Sequence, residues 1–143
     1  MVLNDIIFVC ETLLSLTGLP DIKGYKAYAD KNYDCSKSRG LAFYIKTNLA
    51  PEVTNVTFNQ FYISFQLKTA PSYIFFGIYF QHSESRNFIP TQFNLVGNHL
   101  KKHTDAKRKV IAGGDFNSRV GDINTFSSQI YGFNYNFLIK CEA

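Results

Sequence analysis

The chain contains no tryptophan, only three cysteines, no apolar run of membrane-spanning length and little net charge. Each shortage excludes something. Cys10, Cys35 and Cys141 are odd in number and show no C-x-x-C spacing, which argues against a disulfide framework and a structural zinc site and for reduced, intracellular thiols. The opening residues, Met1 to Asp5, carry no basic segment. The apolar run after them is too short for a signal peptide or a transmembrane helix, so no membrane partner is expected. A net charge of +4 and a pI near 8.9 suit a polyanionic partner, but they fall far short of a basic tail and select no ligand alone. No repeat, low-complexity tract or long linker divides the chain, so residues 1–143 are expected to form a single domain.

What is present is apolar and aromatic: 45% of residues are hydrophobic, and 14 Phe with 9 Tyr supply the aromatic share. That is enough to build a core and to exclude a disordered chain. Asn4 to Cys10 is a continuous, β-branched apolar run, which predicts a strand buried on both faces. Glu11 to Leu16 opens a short helix or turn ending at Gly18. Leu19 to Tyr28 reads as a loop leading into a short edge strand. The polar loop from Asp30 to Arg39 follows, with Lys31, Lys37 and Arg39 expected to be solvated; phosphate contact on a substrate strand is the alternative for this basic cluster.

Strands are predicted at Gly40 to Lys46, Val53 to Phe58, Phe61 to Leu67 and Tyr73 to Phe80. The third alternates, with Phe61, Ile63, Phe65 and Leu67 inward and Tyr62, Ser64 and Gln66 outward. Ile89, Phe93, Val96 and Leu100 recur at helical spacing, with Pro90 in the first turn. His99 and His103 stand four apart, a spacing that can bind zinc. Lacking a third ligand and the glutamate of H-E-x-x-H, they read as an exposed helix face. Tyr131, Phe133, Tyr135 and Phe137 alternate as a further strand.

Chemistry concentrates in Lys109 to Asp122. Val110 to Ala112 reads as a buried strand that stops at Gly113-Gly114, and Asp115 and Asn117 follow directly. In open α/β sheets, ligands collect where strands end at their carboxyl edge. If the backbone stays extended, period two points Asp115 and Asn117 to one side. An ionised Asp can hold a divalent cation or take a proton from water, and an uncharged Asn can donate to a phosphoryl oxygen. The plain alternative is a polar strand-to-loop turn, where Gly, Asp and Asn are common.

Gly114-Asp115-Phe116-Asn117 resembles the most diagnostic run of the endonuclease/exonuclease/phosphatase superfamily, the DNase I-like fold. Phe8-Val9-Cys10-Glu11-Thr12 resembles its strand followed by Glu-Thr or Glu-Lys, with Cys10 where Gln is usual. Pro20 to Tyr25 resembles its "pGY" phrase, and Gly40 to Ile45 its "GvaiyvK" hairpin. The retrotransposon-type "GDFNarvG" is similar to the stretch that includes Arg119 and Asp122. The resemblance runs from about Asp5 to Asp122 and is nearest the endonuclease domains of non-LTR retrotransposons.

The resemblance implies an α/β, DNase I-like sandwich, incomplete here: one mostly antiparallel mixed sheet with flanking helices and most of the second sheet missing. It implies hydrolysis of phosphodiester bonds in nucleic acid, DNA above all, with magnesium or manganese. Glu11 would hold the metal, Asp115 would orient or deprotonate water, and Asn117 and Tyr79 would stabilise the phosphorane-like charge. Without the family, Glu11 is a first-turn carboxylate and Tyr79 a core aromatic. The family's asparagine strand would precede Asp5, and its Ser-Asp-His segment would follow Asp122. Their absence predicts a truncated member, weak or inactive alone, belonging with the rest of a reverse-transcriptase polyprotein. A non-catalytic nucleic-acid-binding remnant and a phosphomonoesterase of the same superfamily are the alternatives.

Overall fold

A computed structural model of the chain describes residues 5–34, 39–82 and 89–117. These form two β-sheets and one helix. Strands β1 (Ile6–Cys10), β2 (Tyr25–Ala29) and β3 (Leu41–Lys46) make a three-stranded antiparallel sheet in the order β1-β3-β2. Strands β4 (Val53–Phe58), β5 (Tyr62–Leu67), β6 (Tyr73–Tyr79) and β7 (Lys109–Asp115) make the second, with α1 (Gln92–Asp105) crossing over between β6 and β7. β4, β5 and β6 are antiparallel, whereas β7 runs parallel to β6. A parallel neighbour needs such a helical crossover. The chain is thus α/β; the expected mostly antiparallel mixed sheet is the four-stranded one, and where most of a second sheet was expected to be missing a three-stranded sheet is present, with a single α-helix among the described residues.

The sheets pack face to face. Phe43 and Ile45 of β3 meet Ile63, Phe65 and Leu67 of β5 in one buried cluster, and the Phe43 and Phe65 rings stand edge to face 4.9 Å apart. β3 is buried from Leu41 through Ile45, as its central place in its sheet requires. β1 is half-buried throughout rather than enclosed on both faces.

The opposite face of the four-stranded sheet is covered by α1. Val96 is 1% exposed and clusters with Tyr62, Phe76 and Ile78. This is why Tyr62 and Ser64, expected outward, are buried: β5 has a core on each side. Helix and sheet are pinned by Gln92, fully buried, which accepts from Gln81 N at 2.9 Å and donates to Gln81 O at 3.0 Å. Ile89 and Pro90 lie outside the helix.

β7 also departs from expectation. Among the described residues it is an edge strand, with Ile111 47% exposed, and it does not stop at the glycine pair but pairs with β6 through Gly113 and Gly114 to Asp115. Main-chain pairing needs no side chain, and Gly114 is required there: its φ is +149°, and a Cβ would sit 1.8 Å from Ile78 O. Cys35, Lys37, Cys141, Arg119, Asp122 and the Tyr131 to Phe137 alternation lie outside the described residues.

Candidate functional site

A glycine in β6 sets the geometry. A Cβ on Gly77 would lie 2.1 Å from the Phe8 ring, so β1 can lay Phe8 across β6 only because position 77 has no side chain. Two residues further along each strand, period two brings the end of β1 over the end of β6. There the Tyr79 hydroxyl donates to Glu11 Oε1 at 2.6 Å. Tyr79 is 5% exposed, whereas Glu11 faces solvent.

Asp115 stands opposite Tyr79 in the parallel β6–β7 register, and Phe80 N donates to Asp115 O at 2.9 Å. Both carboxylates therefore reach one edge. The half-buried Cys10 thiol reports this: its pKa is raised by burial first, then by the charges of Asp115 and Glu11.

Asn117 does not continue the extended chain. Its φ is +42°, a left-handed conformation that Asn tolerates, and its N–H donates to Asp115 Oδ1 at 2.9 Å. The period-two placement of Asp115 and Asn117 is thus replaced by a turn closed by the aspartate side chain. The Asn117 Nδ2 donates to Phe80 O at 2.7 Å, which fixes the carboxamide.

Glu11 also leaves its strand in a left-handed conformation, φ +54°, uncommon for a residue with a side chain. The turn is held by the segment before β3: Thr12 N donates to Gly40 O at 3.3 Å and Leu13 N to Arg39 O at 2.9 Å. No helix starts here; a single 3-10 turn spans Leu16–Gly18.

Arg39, expected to be solvated, is half-buried, and its Nε is enclosed without a hydrogen-bond partner among the described residues. Its charge reaches Tyr79. Burial, then the hydrogen bond to Glu11 and the Glu11 charge, push the phenol up to about 12, while the Asn117 side chain and the Arg39 guanidinium pull the other way. Sequence patterning missed this arginine because a basic residue in a polar loop looks solvated; only the adjacent Gly40, at the start of a buried strand, hinted otherwise.

Glu11, Tyr79, Asp115 and Asn117 are thus brought together, with Arg39 beside them. Among the described residues no three His, Cys, Asp or Glu side chains gather as a metal-binding group. The two carboxylates still suit a hard dication that keeps most of its water shell, since magnesium commonly uses only one or two protein carboxylates. A pocket lined by Asp30, Asn32, Tyr33, Phe58 and Gln60 shares none of these residues. Compared with known proteins, the chain matches no family model, and no curated protein is significantly similar to it.

Proposed function

We propose that this edge hydrolyses phosphodiester bonds in nucleic acid, as a domain of the endonuclease/exonuclease/phosphatase superfamily nearest its retrotransposon branch. The observation that carries the reading is the Tyr79–Glu11 hydrogen bond at 2.6 Å, formed beside a strand pair that sets Asp115 opposite Tyr79.

A phosphodiester repels hydroxide, so the site needs a cation, a positioned base and neutral donors. Magnesium held by Glu11 would supply charge neutralisation at the phosphoryl oxygens. Asp115 is exposed, and the bond from Asn117 N occupies only its Oδ1, which leaves carboxylate lone pairs to orient a water or accept its proton. The Asn117 Nδ2 donates to Phe80 O and its side chain also hydrogen-bonds the Tyr79 phenol, so its proposed part at a phosphoryl oxygen requires the amide hydrogen facing Tyr79 to be shared with the substrate. Tyr79 commits its proton to Glu11, so its part is to orient that carboxylate. Arg39, whose Nε is enclosed without a hydrogen-bond partner among the described residues, is assigned the phosphate contact through the terminal nitrogens of its guanidinium.

The discriminating assay is nicking of supercoiled plasmid with magnesium, wild type against Asp115→Ala and Glu11→Gln. Nicking by the wild type alone supports the reading. If no protein nicks but DNA is still retained in a salt-sensitive way, the binding-only alternative replaces it.

A further inference from the structure

His99 and His103 are neither exposed nor independent. Both are half-buried on α1, and both rings stand edge-on to Phe76, at 5.4 and 5.6 Å between centroids. They belong to a hydrogen-bonded chain of four side chains. Tyr62 Oη lies 3.0 Å from His99 Nδ1, His99 Nε2 lies 3.3 Å from His103 Nε2, and His103 Nδ1 lies 3.1 Å from an Arg108 Nη.

One member fixes the direction of every bond. A guanidinium has no acceptor, so His103 Nδ1 must accept and its proton must sit on Nε2. That N–H points at His99 Nε2, which must therefore accept, so the His99 proton sits on Nδ1 and is donated to the Tyr62 oxygen. Both imidazoles are neutral in this arrangement. Their surroundings favour that state: burial is the largest influence lowering each pKa, reinforced at His99 by Lys102 and at His103 by His99, Arg108 and Lys102.

We propose that His99 and His103 form a two-histidine site for a borderline divalent transition-metal ion such as zinc, bound through both Nε2 atoms. A tetrahedral zinc held at about 2.0–2.1 Å by two imidazoles sets their nitrogens roughly 3.3–3.4 Å apart. The two Nε2 atoms already stand 3.3 Å apart, with ring orientations fixed by the Phe76 packing. His99 already has its Nε2 lone pair available, and its Nδ1–H rests on Tyr62 Oη, the outer bond that orients a metal-bound imidazole and raises its basicity. Only His103 must change. Its proton moves from Nε2 to Nδ1, the ring stays neutral, and two metal–nitrogen bonds replace one hydrogen bond. The remaining coordination positions are left to water.

Arg108 opposes this step. Once His103 Nδ1 carries the proton, it faces the Arg108 N–H donor to donor, so the exposed guanidinium must swing away. The arginine thus acts as a latch that holds His103 in the tautomer unable to bind metal. This proposal does not depend on the hydrolytic reading, and imidazole ligands select against magnesium.

The test is calorimetric titration of the full chain with zinc ions in excess magnesium. One zinc ion per chain is expected, with binding lost in both His99→Gln and His103→Gln. Tyr62→Phe should weaken binding about tenfold or more. Arg108→Gln, at an exposed position that leaves the core untouched, should tighten it, and Glu11→Gln should leave it unchanged. Zinc binding that survives His103→Gln, a Glu11→Gln variant that loses it, or an Arg108→Gln variant no tighter than wild type would overturn the proposal.

Discussion

The Tyr79 phenol and the Glu11 carboxylate, 68 residues apart in sequence, meet through a 2.6 Å hydrogen bond that ties the three-stranded sheet to the end of the four-stranded one. Because the bond requires the protonated phenol, it makes stability depend on pH in a calculable sense. The Tyr79 pKa is raised from 10.0 to about 12. A group whose folded value is raised stabilises fully below its unfolded value and ceases to do so as pH climbs through the folded one. Wild-type stability should therefore fall between about pH 10 and 12, and this portion of the fall should vanish in Tyr79→Phe. At neutral pH the same substitution should cost about 1 kcal/mol, since the exposed Glu11 carboxylate can turn to water. Denaturant unfolding across this pH range checks both.

The Phe8 ring against Gly77 is the contact that aligns Glu11 with Tyr79. In Gly77→Ala the new methyl would meet Phe8 at 2.1 Å and Phe43 at 2.9 Å, so β1 must shift. The expected cost is about 1–3 kcal/mol, as for other overpacked cores. The more telling readout is the Tyr79 titration, obtained as the difference in tyrosinate absorbance between each protein and its Tyr79→Phe version. If alignment passes through Gly77, the phenol pKa in Gly77→Ala should fall only part of the way from about 12, because burial, the largest cause of the rise, persists while the Glu11 carboxylate that adds to it has moved. An unchanged titration would mean that Glu11 is positioned by its own turn alone.

Adjacent glycines in β7 should respond in opposite ways. Gly114→Ala places a Cβ 1.8 Å from Ile78 O at φ +149°, whereas a Cβ on Gly113 meets nothing within 4 Å. Gly114→Ala should cost at least about 3 kcal/mol and loosen the β6–β7 pairing that carries Asp115. Gly113→Ala should be close to neutral. Urea unfolding midpoints of the two variants give the comparison.

These relationships mark where sequence patterning reaches and where it stops. The strands were legible because alternation and apolar runs are local signals, and β3, β4, β5 and β6 fall within a residue or two of their expected spans. What covers each face was not legible. Tyr62 and Ser64 look outward by polarity, yet α1 buries them, since a helix 30 residues downstream leaves no mark on the local period. The glycine pair looked like a strand end because glycine usually breaks strands, but pairing with β6 overrides that preference. Glu11, Tyr79, Asp115 and Asn117 could be singled out as polar groups at strand ends. Their convergence was an expectation of the family resemblance alone; local patterning does not carry it, because it depends on Phe8 crossing Gly77 between two sheets. The histidines were discounted for want of a third ligand, whereas their tautomers depend on Tyr62 and Arg108, which no spacing rule connects.

Arg39 gives the last test, and it separates a phosphate-binding edge from a merely enclosed arginine. Its Nε has no hydrogen-bond partner among the described residues, its carbonyl supports the Glu11 turn, and its charge reaches Tyr79. A guanidinium fork so placed can meet a phosphate with paired donors. In Arg39→Gln the salt dependence of DNA binding should therefore flatten, the slope of log K against log salt falling in magnitude by about 1. Lys31→Gln, on the exposed part of the same loop, is the control and should change the slope far less, because a solvated lysine has no fixed register with the edge. The measurement is a series of fluorescence-anisotropy titrations with a short labelled duplex at several salt concentrations. Equal slopes for wild type and Arg39→Gln would remove Arg39 from the edge and leave its burial as a feature of packing alone.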